Sequence, residues 1–206
     1  MWILYGMLFI ILVLFAIRQI AIQRAELLVN EMVGVEPWDE IPPLVQIRNL
    51  KAAGILFRTG ELEQECIMDC SDNDYYAAHP YYALLTDAGA RGMFANVYGI
   101  TDRECIYDSE YGEILKGLGD ISGLEFTDIR CPDRHRVCWK MNGRKYTWRG
   151  KKQRDWADHR IADYLNRFCR GDERFFTDNT HEGIIYFYGT GQRAEGLNTE
   201  FGLKFQ

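Results

Sequence analysis

Apolar and polar positions follow three rhythms along this chain. In the first, sixteen residues from Trp2 to Ile17 (WILYGMLFIILVLFAI) pass without a charge, and Arg18 follows at once. A hydrocarbon core about 30 Å thick takes roughly 20 helical residues. The run reaches that length if Arg18 snorkels toward the headgroups while Ile20, Ala21 and Ile22 extend the helix. It lacks the polar face of a helix packed on a globular core. It also lacks the basic lead-in and the A-x-A site of a cleaved signal peptide. The pattern therefore predicts a single-pass transmembrane anchor over 1–22, a helical extension and neck over 23–41, and a soluble domain over 42–206. Arg18 and Arg24 lie after the span and no base lies before it, which places the domain on the cytoplasmic side of the cell membrane.

The second rhythm is apolar residues at helical spacing. Pro42 or Pro43 can open a helix that carries Leu44, Ile47 and Leu50 on one face and ends at Gly54. Pro80 to Ala88 repeats the pattern with Tyr81, Leu84 and Leu85 and takes Gly89 as its cap. Ser109 opens a helix with Tyr111, Ile114, Leu115 and Leu118, closed by Gly119. Asp155 caps another whose Ile161, Tyr164, Leu165 and Phe168 form an apolar stripe ending at Gly171. A last helix runs through Ala194 and Leu197 to Gly202, leaving Leu203 to Phe205 as an edge strand.

The third rhythm is alternation. Asn142-Gly143 favours a type I′ turn, whose two central residues both take positive φ. Folding the chain about it pairs Lys140 with Lys145, Cys138 with Thr147 and Arg136 with Arg149. One face then holds Val137, Trp139, Met141, Tyr146 and Trp148, and the other holds the bases. Residues 55–57 and 93–98 read as short strands, and 174–177 with 183–188 as a second hairpin. The order β-β-α-β-β-α-β predicts an α+β fold, an antiparallel sheet with helices packed on one face. A sub-boundary near 121 stays open, although no Pro- or Ser-rich linker marks it.

Composition narrows the picture. With 47% hydrophobic and 14% aromatic residues the chain is rich enough to fold, which excludes a disordered tether. The six cysteines lack the dense spacing of a disulfide scaffold and read as reduced thiols under the cytoplasmic placement. Cys66 and Cys70 stand at C-x3-C with His79 beyond, whereas a structural zinc site wants C-x2-C and a fourth ligand. No metal and no cofactor is expected.

Charge is the strongest functional clue. Between Arg130 and Arg154 ten Lys and Arg face the single Asp133, a local balance of +9 in a chain whose net charge is −6. Like charges directly opposite one another on a hairpin are destabilising, so Arg136, Lys140, Lys145 and Arg149 call for an anionic counterpart. The acidic stretch from Glu61 to Asp74 is the internal candidate. An acidic protein and an anionic lipid surface are the external ones. Nucleic acid fits poorly, because Trp139, Tyr146 and Trp148 fall on the face opposite the bases, where they cannot act as a stacking platform.

Catalytic signals are sparse. No G-x-S-x-G elbow, phosphate loop or H-E-x-x-H appears. Asp155, His159 and Asp163 stand at i, i+4 and i+8, a carboxylate–histidine–carboxylate column if one helix carries all three. That column is the basis of the alternative reading, a membrane-bound hydrolase or metal-dependent enzyme. The sequence favours a non-catalytic binding protein anchored in the membrane.

Overall fold

The computed structural model describes residues 43–58, 79–101, 110–151, 157–180 and 183–206, all within one compact unit of residues 41–206. The predicted anchor, its extension and neck, and the acidic stretch from Glu61 to Asp74 lie outside the described residues. None of the described helices is long and apolar enough to cross a membrane.

The fold is α+β. Its elements are α1 (Pro43–Ala52), α2 (Pro80–Ala90), β1 (Val97–Ile100), α3 (Glu110–Ser122), β2 (Thr127–Asp133), β3 (Arg136–Met141), β4 (Arg144–Arg149), α4 (Ile161–Leu165), a 3-10 turn (Asn166–Phe168), β5 (Glu173–Asp178), β6 (Ile184–Thr190) and α5 (Gly191–Phe201). The alternation pattern predicts one sheet with helices on one face; the described strands instead form two antiparallel three-stranded sheets, ordered β1-β6-β5 and β2-β3-β4. Ile121, at the candidate sub-boundary, is buried in the last turn of α3.

Strand β6 explains the layering. Its Ile184, Ile185, Tyr186 and Phe187 are all buried, so the strand is covered on both faces. Ile185 and Phe187 enter one cluster with Ile47 and Leu50 of α1, Leu84 and Leu85 of α2, and Ala194 and Leu197 of α5. Ile184 and Tyr186 enter a second with Leu115 and Leu118 of α3, Val137, Trp139 and Trp148 of the hairpin, and Ile161 and Leu165 of α4. The first sheet is thus the middle layer, with helices on one side and α3, α4 and the second sheet on the other. Two half-cores meet across it.

Two glycines expected to end helices do something else. Gly89 sits inside α2, where an added Cβ would come 2.7 Å from the Gly99 nitrogen of β1; the left-handed residue is Gly92, at φ 71°. Gly119 sits inside α3, where an added Cβ would come 2.8 Å from the Leu124 carbonyl oxygen. Both positions require a missing side chain so that backbones can approach. Gly202, by contrast, caps α5 at φ 68° as predicted. Beyond it Leu203 to Phe205, expected as an edge strand, form none; the backbone pairs with β5 at Gln206, which exchanges hydrogen bonds of 3.0 and 3.2 Å with Thr177.

Candidate binding surface

The hairpin forms in the register that the Asn142-Gly143 turn dictates. Met141 pairs with Arg144, Lys140 with Lys145, Cys138 with Thr147 and Arg136 with Arg149. Asn142 and Gly143 take φ of 51° and 74°, as a type I′ turn requires. Val137, Trp139, Met141 and Trp148 are buried beneath the sheet. Trp139 stands edge-on to Tyr164 at 5.9 Å and to Phe126 at 6.1 Å, and Trp148 lies 5.0 Å from the Tyr111 ring. These rings are committed to the core and cannot stack a ligand. Arg136, Lys140, Lys145 and Arg149 share the opposite, outer face.

Strand β2 adds a third row that periodicity does not announce. Its sequence, TDIRCPD, carries a proline and two aspartates, and its pairing with β3 shifts register twice. It brings Arg130 beside Cys138 and Asp133 beside Arg136. Asp133 Oδ2 lies 3.3 Å from Arg136 Nε and 3.5 Å from Arg149 Nη2. Asp128, at φ 52°, forms an ion pair with Lys140 Nζ. The His135 backbone N–H and the two guanidiniums hold the Asp133 carboxyl below its ordinary range. The bond from Lys140 does the same for Asp128.

The outer face therefore reads across the strands as three rows: Arg149, Arg136 and Asp133; Thr147, Cys138 and Arg130; Lys145, Lys140 and Asp128. Five cations stand against two carboxylates, a surplus of three. Asp128 escapes a count of the basic stretch because it lies two residues before Arg130. Among the described residues Lys145 and Arg130 make no ion pair. In the middle row the Thr147 hydroxyl donates to Cys138 Sγ at 3.4 Å. Cys131, Cys138 and Cys169 form no disulfide.

The residues of the enzymatic alternative are placed differently from the sequence expectation. Helix α4 begins at Ile161, so of the three only Asp163 lies on it. His159 sits in the preceding turn, its Nδ1 2.9 Å from Asn179 Nδ2. Asp155 lies outside the described residues. The carboxylate that organises this turn is Asp158, which the pattern does not single out. Its Oδ1 accepts from the Arg160 N–H at 3.2 Å and from Arg160 Nε at 2.7 Å, and its Oδ2 accepts from the Lys151 N–H at 2.7 Å. The Asp158 N–H in turn donates to the Tyr111 hydroxyl at 2.7 Å. Burial opposes the charged form of Asp158, and the bonds from Arg160 and Lys151 outweigh it, holding the carboxyl below its ordinary range. With Asp158 satisfied in this way, the cluster ties the end of β4 to the start of α4 rather than presenting a reactive group. Burial raises the Tyr111 hydroxyl to about 12, so it stays neutral and accepts this bond at physiological pH. Among the described residues no three His, Cys, Asp or Glu gather as metal ligands.

No family of known sequences, no curated protein and no solved structure matches this chain.

Proposed function

We propose that this chain is a single-pass membrane protein whose domain, residues 42–206, is a non-catalytic binding module that recognises an acidic protein partner on the cytoplasmic side. The observation that carries the reading is the outer face of the second sheet, with its surplus of three cations on a rigid, ordered support. Hairpin and core fix the bases in rows about one strand spacing apart, so a partner meets a patterned surface rather than a flexible basic tail. Asp128 and Asp133 answer part of the charge, which leaves Lys145 and Arg130 as the cations best placed for a partner. Exposed ion pairs of this kind, screened by solvent, contribute little to stability. The face can therefore exchange internal partners for external ones at little cost to the fold.

The test uses the full chain in nanodiscs of zwitterionic lipid, probed with a fluorescent ten-residue glutamate peptide and, separately, with vesicles containing phosphatidylserine. Capture of the peptide, lost in the double variant Lys145→Glu, Arg130→Glu and weakened by salt, supports the reading. Capture of the vesicles alone replaces the protein partner with a lipid surface, and capture of neither removes the binding function. The anchor is tested by membrane-impermeant thiol labelling of a single new cysteine near Gln206 in intact cells. Protection until the membrane is opened supports the cytoplasmic placement, and labelling from outside reverses it.

A further inference from the structure

The two sheets have four edges between them, and they are not equivalent. The chain leading into β1 is covered, with the Arg58 N–H donating to the Met93 carbonyl and the Ala95 N–H to the Leu56 carbonyl. The edge of β5 is closed by the exchange between Thr177 and Gln206. The edge of β2 is broken by two register shifts, and Pro132 removes one of its donors. Strand β4 is as regular as β5, pairing with β3 over six consecutive residues without a shift, but among the described residues no backbone exchange closes its outer edge.

Hairpin geometry fixes which β4 groups are unused. A two-residue turn makes Met141 and Arg144 a hydrogen-bonded pair, so Trp139 with Tyr146 and Val137 with Trp148 are hydrogen-bonded pairs as well. The backbone N–H and C=O groups of Lys145, Thr147 and Arg149 then point away from β3. All three residues are exposed, and among the described residues none makes a backbone hydrogen bond beyond the sheet. Their side chains also lie on the cationic outer face.

We infer that β4 is a strand-addition site for an extended peptide segment in which acidic and apolar residues alternate. The inference rests on the proposed binding function and specifies its partner. A strand laid antiparallel on β4 places alternate residues opposite Lys145, Thr147 and Arg149, on the cationic face, where carboxylates complement them. The intervening residues fall on the inner side, beside Tyr146 and the Phe168 ring 4.9 Å from it, where apolar side chains belong. A second copy of the chain fits badly, because its own β4 would set Lys145 and Arg149 against the same bases. An acidic strand meets no such penalty.

The experiment measures binding of the full chain in zwitterionic nanodiscs to four fluorescent ten-residue peptides. One alternates Glu and Val, and one carries the same residues as a Glu block followed by a Val block. The other two are the alternating peptide N-methylated at every Glu or at every Val. In an antiparallel addition the residues opposite Lys145, Thr147 and Arg149 direct their N–H groups at β4, and these are the Glu residues. The expected result is that the alternating peptide binds at least tenfold more tightly than the block peptide, that methylation at Glu abolishes this advantage, and that methylation at Val preserves it. Equal binding of all four peptides overturns strand addition while leaving the cationic face as the binding surface. Loss on Val methylation alone overturns the antiparallel register. Failure of every peptide overturns the inference, and failure of the glutamate peptide as well overturns the binding function on which it rests.

Discussion

The two sheets of this domain are the same size and the same antiparallel kind, yet they are built for different work. In the first, β6 is buried on both faces and reads in sequence as an unbroken apolar run, Ile184 to Phe187. In the second, β3 alternates strictly between buried and half-exposed positions. One sheet spends both faces on packing and has none left for chemistry. The other spends one face on Trp139 and Trp148 and leaves a cationic face and a free strand edge. The contrast predicts that stability is concentrated in the first sheet and its contacts, and surface chemistry in the second.

The largest expected effect is in the middle layer. Phe187 is fully buried among the helices and packs on Phe205 at 5.6 Å and Phe176 at 6.3 Å. Phe187→Ala should cost about 3–5 kcal/mol, read as the shift of a urea midpoint with the slope unchanged. A loss under about 1 kcal/mol would mean that the first sheet is not the stability centre and would break the comparison.

Next comes the junction between the sheets. The side chain of Asp158 is 3% exposed and satisfies the Lys151 N–H as well as the Arg160 guanidinium. Asp158→Ala leaves these donors without their carboxylate and should cost about 2–4 kcal/mol. The pH dependence follows from the sign of the shift. The folded pKa is depressed below the ordinary 3.8, so the stabilisation is fully present above that value and is lost as pH falls through the folded one. Thermal midpoints recorded from pH 5 down to pH 2 should fall more steeply in the native chain than in Asp158→Ala. Parallel curves would show that this carboxylate is not linked to folding.

A smaller effect tests how tightly helix and sheet meet. A Cβ added at Gly99 of β1 would come 2.1 Å from the Thr86 carbonyl oxygen of α2, a backbone atom that cannot swing aside. Gly99→Ala should therefore push α2 off the sheet and cost about 1–3 kcal/mol. Thr147→Val, on the open face of the second sheet, should stay within about 0.5 kcal/mol. Equal midpoints for the two variants would erase the distinction between a closed face and an open one.

Much of this fold was legible, and the parts that were not share a physical cause. Asn142-Gly143 set the hairpin register residue by residue because turn type and side-chain alternation agree. Ile47, Leu50, Leu115 and Leu118 marked buried helix faces for the same reason. Strand β2 was invisible, since Pro132 and its bulges erase the period of two, and it takes its place only because β3 offers it an edge. That single omission concealed both the second sheet and Asp128. The helical stripe from Ile161 to Phe168 was readable, but its start was not: Asp158 closes a turn that delays α4 to Ile161, and the spacing of Asp155, His159 and Asp163 therefore does not become one helix face. Gly89 and Gly119 read as helix stops because a close backbone approach leaves no local mark in the sequence.

The smallest effect on stability is the most informative about function. Lys145 is exposed, makes no ion pair among the described residues, and faces Lys140 across the hairpin. Replacing it with Glu exchanges a repulsive cross-strand pair for an attractive one, which should raise stability by a few tenths of a kcal/mol, roughly 0.2–0.5. In Lys140→Glu the same gain across the hairpin is outweighed by two losses, the ion pair with Asp128 and the new repulsion between two carboxylates, so stability should fall. Both changes remove a cation from the same face, so both should weaken capture of an acidic peptide, by a factor that grows as salt is lowered. Binding and stability would thus move together in one variant and in opposite directions in the other, a pattern that loss of folding cannot produce. If capture instead follows the thermal midpoint in both variants, the cationic face serves the fold alone, and the division of labour between the two sheets fails.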